Sequence, residues 1–178
     1  MEFGLRRAQG KSAGVYGARS AMIGGFNGTS NVLAGAKFGM PVLGTMAHSW
    51  IMSFSSELEA FRAYARQYPN NLILLADTYN TLKQGVPDAI TIFKEMKAAG
   101  TLPKAYGIRL DSGDLAYLSK EAHKMFVEAG FSDAIIAASN DLDENLISEL
   151  KAQGCVINSW GVGTNLITAK DSPSLGGV

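Results

Sequence analysis

The sequence predicts an α/β fold of parallel strands, arranged as a sheet or a barrel. Three observations predict it. After residue 40, short apolar runs alternate with longer segments of helical periodicity. The strand starts recur at roughly thirty-residue spacing, shortening in the last unit, as successive βαβ units require. Each run leads into a helix, and strands so connected pair in parallel through right-handed crossovers.

The elements follow in order. Residues 12–23 are alanine-rich and predict a helix, 24–30 a loop, and 31–38 a short helix. Residues 40–44 predict a strand, followed by a helix over 50–66; residues 71–76 predict a strand, followed by a helix over 87–99. Then come a strand at 105–110 with a helix over 115–129, and a strand at 134–138 with a helix over 143–152. A last strand, 155–159, ends in Gly161-Val162-Gly163-Thr164. The punctuation agrees: Pro87 stands at a first-turn position, Asp143 caps a helix beginning at Glu144, and Gly100, Gly130 and Gly154 lie just past three helix ends.

Composition narrows the function. With 178 residues and 47% apolar content the chain can bury the core of one domain. Lysine plus arginine equals aspartate plus glutamate at 16 each, so the charge excess of nucleic-acid or acidic-membrane binders is missing and any anion site is local. The lone Cys155 cannot form an internal disulfide, and with no leader or long apolar span we expect a cytoplasmic protein. The abrupt ends at Met1 and Val178 lead us to expect a piece of a longer chain. CxxC, HExxH, GxSxG and GxxxxGK[ST] are all missing, which argues against a structural metal, a serine hydrolase and a P-loop.

In parallel α/β folds the chemistry sits at the carboxyl ends of the strands. Those ends supply Thr45 and His48, then Asp77 with Thr78, then Arg109, Asp111, Ser112 and Asp114, then Ser139 and Asn140, and finally Gly161, Gly163 and Thr164. Turns favour such residues anyway, but five polar ends on one rim suggest a site. Arg109 and Asp111, two apart on a strand, point to one face, where a guanidinium grips phosphate and a carboxylate holds a ribose hydroxyl or Mg²⁺. Asp114 reads equally as a ligand or as a helix cap. Gly161-Val162-Gly163-Thr164 lets backbone N–H groups approach a phosphate. Residues 27–31, Asn-Gly-Thr-Ser-Asn, are either a cap or a ligand contact; of Arg6 and Arg7, one can serve a site while the other faces solvent; His123 reads as a solvated helix residue.

Six segments taken together carry a resemblance. Glu2-Phe3-Gly4-Leu5-Arg6-Arg7, Gly28-Thr29-Ser30-Asn31-Val32, Gly44-Thr45-Met46-Ala47-His48-Ser49, Leu75-Ala76-Asp77-Thr78-Tyr79, Arg109-Leu110-Asp111-Ser112-Gly113-Asp114 and Gly161-Val162-Gly163-Thr164 resemble, in this order, the motif series of the nicotinate phosphoribosyltransferases. The resemblance implies the irregular, incomplete (β/α) barrel of a type II phosphoribosyltransferase, with residues 1–178 a fragment lacking the N-terminal domain and the C-terminal continuation. It implies synthesis of nicotinate mononucleotide from nicotinate and 5-phosphoribosyl-1-pyrophosphate for NAD, coupled to ATP hydrolysis, with Mg²⁺, in a homodimer. His48 matches the histidine that is phosphorylated, with Thr45 and Ser49 as expected hydrogen-bonding neighbours. Arg6 matches the arginine near the pyridine, and Ser30 the position beside the ring substituent. Arg109 and Asp111 match ribose and phosphate contacts, Asp111 being also a possible Mg²⁺ ligand. Gly161, Gly163 and Thr164 match the loop for the 5′-phosphate, and Thr45, Asp77, Ser139 and Asn140 complete the substrate-binding set. The alternatives are a nicotinamide or quinolinate relative and a non-catalytic phosphate-binding fragment. Ser30 argues against nicotinamide, whose users carry an acidic residue there, and His48 argues against quinolinate, whose chemistry needs no ATP.

Overall fold

The computed structural model describes residues 1–173. Its helices are α1 (Lys11–Ile23), α2 (Val32–Phe38), α3 (His48–Met52), α4 (Glu57–Gln67), α5 (Val86–Ala98), α6 (Leu115–Ala129), α7 (Glu144–Ala152) and the single turn α8 (Thr164–Ile167). The strands are β1 (Leu72–Leu75), β2 (Tyr106–Leu110), β3 (Ile135–Ala138) and β4 (Ser159–Trp160), hydrogen-bonded in the order β1-β2-β3-β4. The chain divides into two compact units, one of Met1–Gly44, Ser139–Glu149 and Trp160–Val178, the other of Thr45–Ala138 and Leu150–Ser159.

The larger unit, Thr45–Ala138 with Leu150–Ser159, is built on the parallel sheet. Leu72 lies opposite Tyr106 and Leu75 opposite Arg109; Gly107 lies opposite Ile135 and Leu110 opposite Ala138. All four residues of β1 are buried, the continuous apolar run expected of a parallel strand covered on both faces. Behind the sheet, Phe93 of α5 meets the rings of Tyr106, Phe126 and Phe131 at centroid distances of 4.9, 5.9 and 5.7 Å, largely edge to face. Gly107 is forced by the neighbouring strand: a Cβ there would stand 1.9 Å from the Ile135 carbonyl oxygen.

The smaller unit packs α1 on α2 around Val15, Ala18 and Ala34, with Phe38 and Met40 at the margin. Three parallel single-residue bridges, Val42 to Thr29, Thr29 to Glu2 and Glu2 to Val162, lay four short extended segments side by side. Asn31 caps α2 by accepting from the Ala34 N–H at 3.0 Å, the capping role that the sequence offers for this stretch.

Several sequence expectations coincide with the structure and three do not. The helix over 115–129 has the expected ends, with Asp114 capping through the Tyr117 N–H at 2.9 Å and Gly130 left-handed at φ 82°. Asp143 caps α7 through the Leu146 N–H at 2.8 Å, and Pro87 sits in the first turn of α5. Residues 40–44, however, make only the single bridge at Val42; Pro41 has no N–H to give a ladder. The helix expected over 50–66 is two helices, because serines take the backbone between them: Ser53 Oγ donates to the Trp50 carbonyl at 2.6 Å, and Ser56 caps α4 by accepting from the Glu59 N–H at 3.2 Å. The last strand is Ser159–Trp160 rather than 155–159. Asn158 donates its backbone N–H to the Ile136 carbonyl at 3.1 Å and accepts the Ile136 N–H on its side-chain Oδ1 at 3.0 Å, in place of an earlier ladder. Among the described residues no helix is long and apolar enough to cross a membrane.

Candidate functional site

In the larger unit the two strand-to-helix junctions after β1 and β2 converge on His48, the first residue of α3. Beyond β1 the chain places Asp77, whose side chain is only 1% exposed. Its Oδ2 accepts from the Asp111 N–H at 2.8 Å and from the Ser112 hydroxyl at 2.5 Å, tying the end of β1 to the end of β2. Its Oδ1 is buried, has no hydrogen bond and lies 4.0 Å from His48 Nε2. The Asp111 carboxylate stands 3.5 Å from the same nitrogen. On the other side of the ring, His48 Nδ1 is 3.1 Å from the Thr78 hydroxyl oxygen. The Arg109 guanidinium donates to the Met46 carbonyl at 3.2 Å, anchoring the segment that delivers His48.

The chemistry follows from the two ring nitrogens. In the tautomer that donates Nδ1–H to Thr78, Nε2 presents its lone pair to the space lined by Asp77 and Asp111. A half-exposed imidazole held in this way can accept an electrophile from solvent. The neighbours expected for His48 are corrected here. The Thr45 hydroxyl donates to the Met46 carbonyl at 3.2 Å, Ser49 is exposed, and the ring's partner is Thr78, thirty residues away in the chain.

Within reach of the Asp77 charge lies a carboxyl that sequence reasoning passed over. Glu57, in the first turn of α4, is 0% exposed and neither of its oxygens has a hydrogen bond. Burial, reinforced by the carboxylates of Asp88 and Asp77, pushes its carboxyl up to about 7. A signal was present: Glu57 heads the stripe Ala60, Phe61, Tyr64 at helical spacing, an acid in the apolar phase. Thr78 and Ser112 were visible only as polar residues after strands.

The smaller unit gathers the other candidates. Arg6 is exposed on the 3₁₀ turn Leu5–Arg7, and Ser30 is half-buried with its N–H donating to the Glu2 carbonyl at 2.9 Å. Glu2, absent from the sequence-based set, is fully buried; its carboxylate accepts from the Gly4 N–H and the Thr29 hydroxyl. The Phe3 N–H donates to the Val162 carbonyl at 2.8 Å, bringing the glycine-rich loop alongside. Gly161 has a packing reason to lack a side chain, since a Cβ there would stand 2.7 Å from the Phe3 ring. Thr164 opens α8, Ser139 is buried near Gly161, and Asn140 is exposed at φ 96°. Asp114 is a helix cap, and His123 is half-buried on α6.

Comparison with known proteins covers residues of both units. Residues 1–173 match the Nicotinate phosphoribosyltransferase (NAPRTase) family. The chain is 54% identical over 178 residues to the nicotinate phosphoribosyltransferase of Bacillus subtilis (strain 168), covering all of this chain and 36% of that protein. It is 32% identical over 231 residues to that of Homo sapiens, covering all of this chain and 43% of the relative. The crystal structure of human nicotinic acid phosphoribosyltransferase superposes with a TM-score of 0.83 at 30% identity, over 91% of this chain and 43% of that one. The chain thus spans well under half the length of these relatives. With its ordered motifs, its parallel α/β sheet and a family match running from residue 1 to residue 173, this chain belongs to the nicotinate phosphoribosyltransferase family.

Proposed function

We propose that this chain carries the phosphoryl-accepting histidine and the substrate-recognition loops of a nicotinate phosphoribosyltransferase, which joins nicotinate to phosphoribosyl pyrophosphate at the expense of ATP. The observation that carries the reading is the setting of His48, with Nδ1 at 3.1 Å from the Thr78 hydroxyl and Nε2 facing Asp111 and Asp77. In the coupling step Nε2 attacks the γ-phosphorus of ATP. The Nε2–P bond forms, the bond to the β-phosphate oxygen breaks, and ADP leaves with the electron pair while Nδ1 keeps its proton and donates it in a hydrogen bond to the Thr78 hydroxyl oxygen. The phosphohistidine then places fixed negative charge beside the polyphosphate site, where it preorganises binding and draws on ATP to drive synthesis. In the ribosyl step the nicotinate ring nitrogen attacks ribose C1 and pyrophosphate departs. No side chain attacks ribose.

Arg109 and Asp111 serve ribose and phosphate in this reading, Arg6 and Ser30 the pyridine, and Gly161, Gly163 and Thr164 the 5′-phosphate. Thr45, Asp77, Ser139 and Asn140 line the substrate. Asp111 offers the half-buried carboxylate oxygen that Mg²⁺ accepts, and no group of three metal-ligating residues gathers among the described residues. That donor set suits an ion brought in with substrate phosphates, since Mg²⁺ commonly takes one or two carboxylates and completes its shell with phosphate and water. Bound there, it would neutralise charge on the polyphosphate. The resemblance further supports an irregular, incomplete (β/α) barrel, a homodimer and a cytoplasmic setting for the full-length enzyme.

Incubation with Mg-ATP followed by intact-mass analysis tests the reading. One acid-labile phosphoryl group that maps to residues 44–50 and vanishes in His48→Ala is expected; no added mass, or a group that survives the variant, overturns it.

A further inference from the structure

Glu2 is an ionisable side chain with no exposure, and such burial is costly unless every acceptor is engaged. Both of its oxygens are engaged, one by the Gly4 N–H and the other by the Thr29 hydroxyl. Stability does not account for a carboxylate here, because well-packed apolar replacements of buried charges are often neutral or stabilising. What the two bonds hold does account for it. Gly4 is the residue before the turn Leu5–Arg7, and its N–H direction sets how that turn leaves the extended segment. Thr29, with its proton committed to Glu2, accepts from the Asn31 N–H at 2.9 Å, and Asn31 in turn caps α2. The residue between them, Ser30, donates its own N–H to the Glu2 carbonyl at 2.9 Å. Ser30 is therefore fixed from both flanks and through its own backbone, and Arg6 is fixed at its root, by one residue that is itself too enclosed to meet a ligand.

We propose that Glu2 is a positioning residue for nicotinate recognition, setting the spacing between Arg6 and Ser30 through Gly4 and Thr29. This rests on the reading of Arg6 and Ser30 as the pyridine contacts. The carboxylate is suited to the task because its oxygens take two donors in charge-assisted bonds, which hold geometry more tightly than neutral ones. With both oxygens spent on the protein, it also presents no free anion to repel the substrate's carboxylate.

The test is steady-state kinetics of the full-length enzyme carrying this chain, with Glu2→Gln, Thr29→Val, Thr29→Ser and Arg6→Ala. Loss of a charge-assisted buried bond is expected to raise the nicotinate KM by about tenfold in Glu2→Gln. The KM for phosphoribosyl pyrophosphate should stay unchanged. Thr29→Val should reproduce the effect and Thr29→Ser, which keeps the hydroxyl, should restore it. If Arg6→Ala raises the nicotinate KM while Glu2→Gln and Thr29→Val do not, the proposal falls and the site reading stands. A uniform rise of both KM values together with a fall in melting temperature, not restored by Thr29→Ser, also overturns it as mere scaffolding. If Arg6→Ala leaves the nicotinate KM unchanged, the site reading falls and takes the proposal with it. Should Glu2→Gln fail to fold, the two Thr29 variants decide alone.

Discussion

Replacing Glu57 by glutamine should make the stability of the chain less sensitive to pH. The Glu57 carboxyl is raised from an ordinary 4.5 to about 7 by burial and by the neighbouring carboxylates of Asp88 and Asp77. Between those two values the folded chain holds a proton that the unfolded chain has released, so stability falls as pH rises from 4.5 to 7 and levels off above. A gap of about 2.5 units corresponds to about 3 kcal/mol, most of which is lost between pH 5 and pH 8. Glutamine keeps the shape and removes the ionisation. It buries an amide without a partner, at a cost of about 1–3 kcal/mol, but that cost is the same at every pH. The discriminating quantity is therefore the stability difference between variant and wild type, measured by urea unfolding at pH 5 and again at pH 8. It should move in favour of the variant by about 2–3 kcal/mol between the two. A difference that does not change with pH would refute the reasoning, since it would mean that Glu57 titrates alike in the folded and unfolded chain.

Three further outcomes are expected. Thr78→Val removes the hydroxyl 3.1 Å from His48 Nδ1, so phosphorylation of His48 by Mg-ATP should slow by about tenfold with the fold intact by circular dichroism; an unchanged rate would show that the ring is oriented by something else. Phe93→Ala empties the centre of the aromatic cluster and should cost about 3–5 kcal/mol in urea unfolding; a loss under 1 kcal/mol would mean the cluster collapses onto the gap. Gly107→Ala drives a methyl group into the backbone of β3 and should prevent β1, β2 and β3 from pairing as they do, seen as loss of cooperative unfolding; a variant with wild-type stability would contradict the close strand approach.

What the sequence determined by itself is local. Helix α6 could be read to the residue because its apolar period, its Asp114 cap and its Gly130 stop all lie within one short segment. The buried runs of β1, β2 and β3 announced parallel strands for the same reason. Reading failed where a polar side chain captured the backbone, as Ser53 and Ser56 do between α3 and α4 and Asn158 does ahead of β4, because pattern alone does not say which of two hydrogen-bonding choices wins. His48, Asp77 and Asp111 could be nominated from strand ends, but the nomination carried no partners. Tertiary structure alone decided that Thr78 rather than Thr45 or Ser49 holds the imidazole and that the second anchor of Asp77 is Ser112. It also decided that two glutamates lie fully buried, one satisfied at Glu2 and one without a hydrogen bond at Glu57. The physical reason is that a carboxylate's role depends on desolvation and on donors brought from distant parts of the chain, and neither quantity exists until the chain has folded.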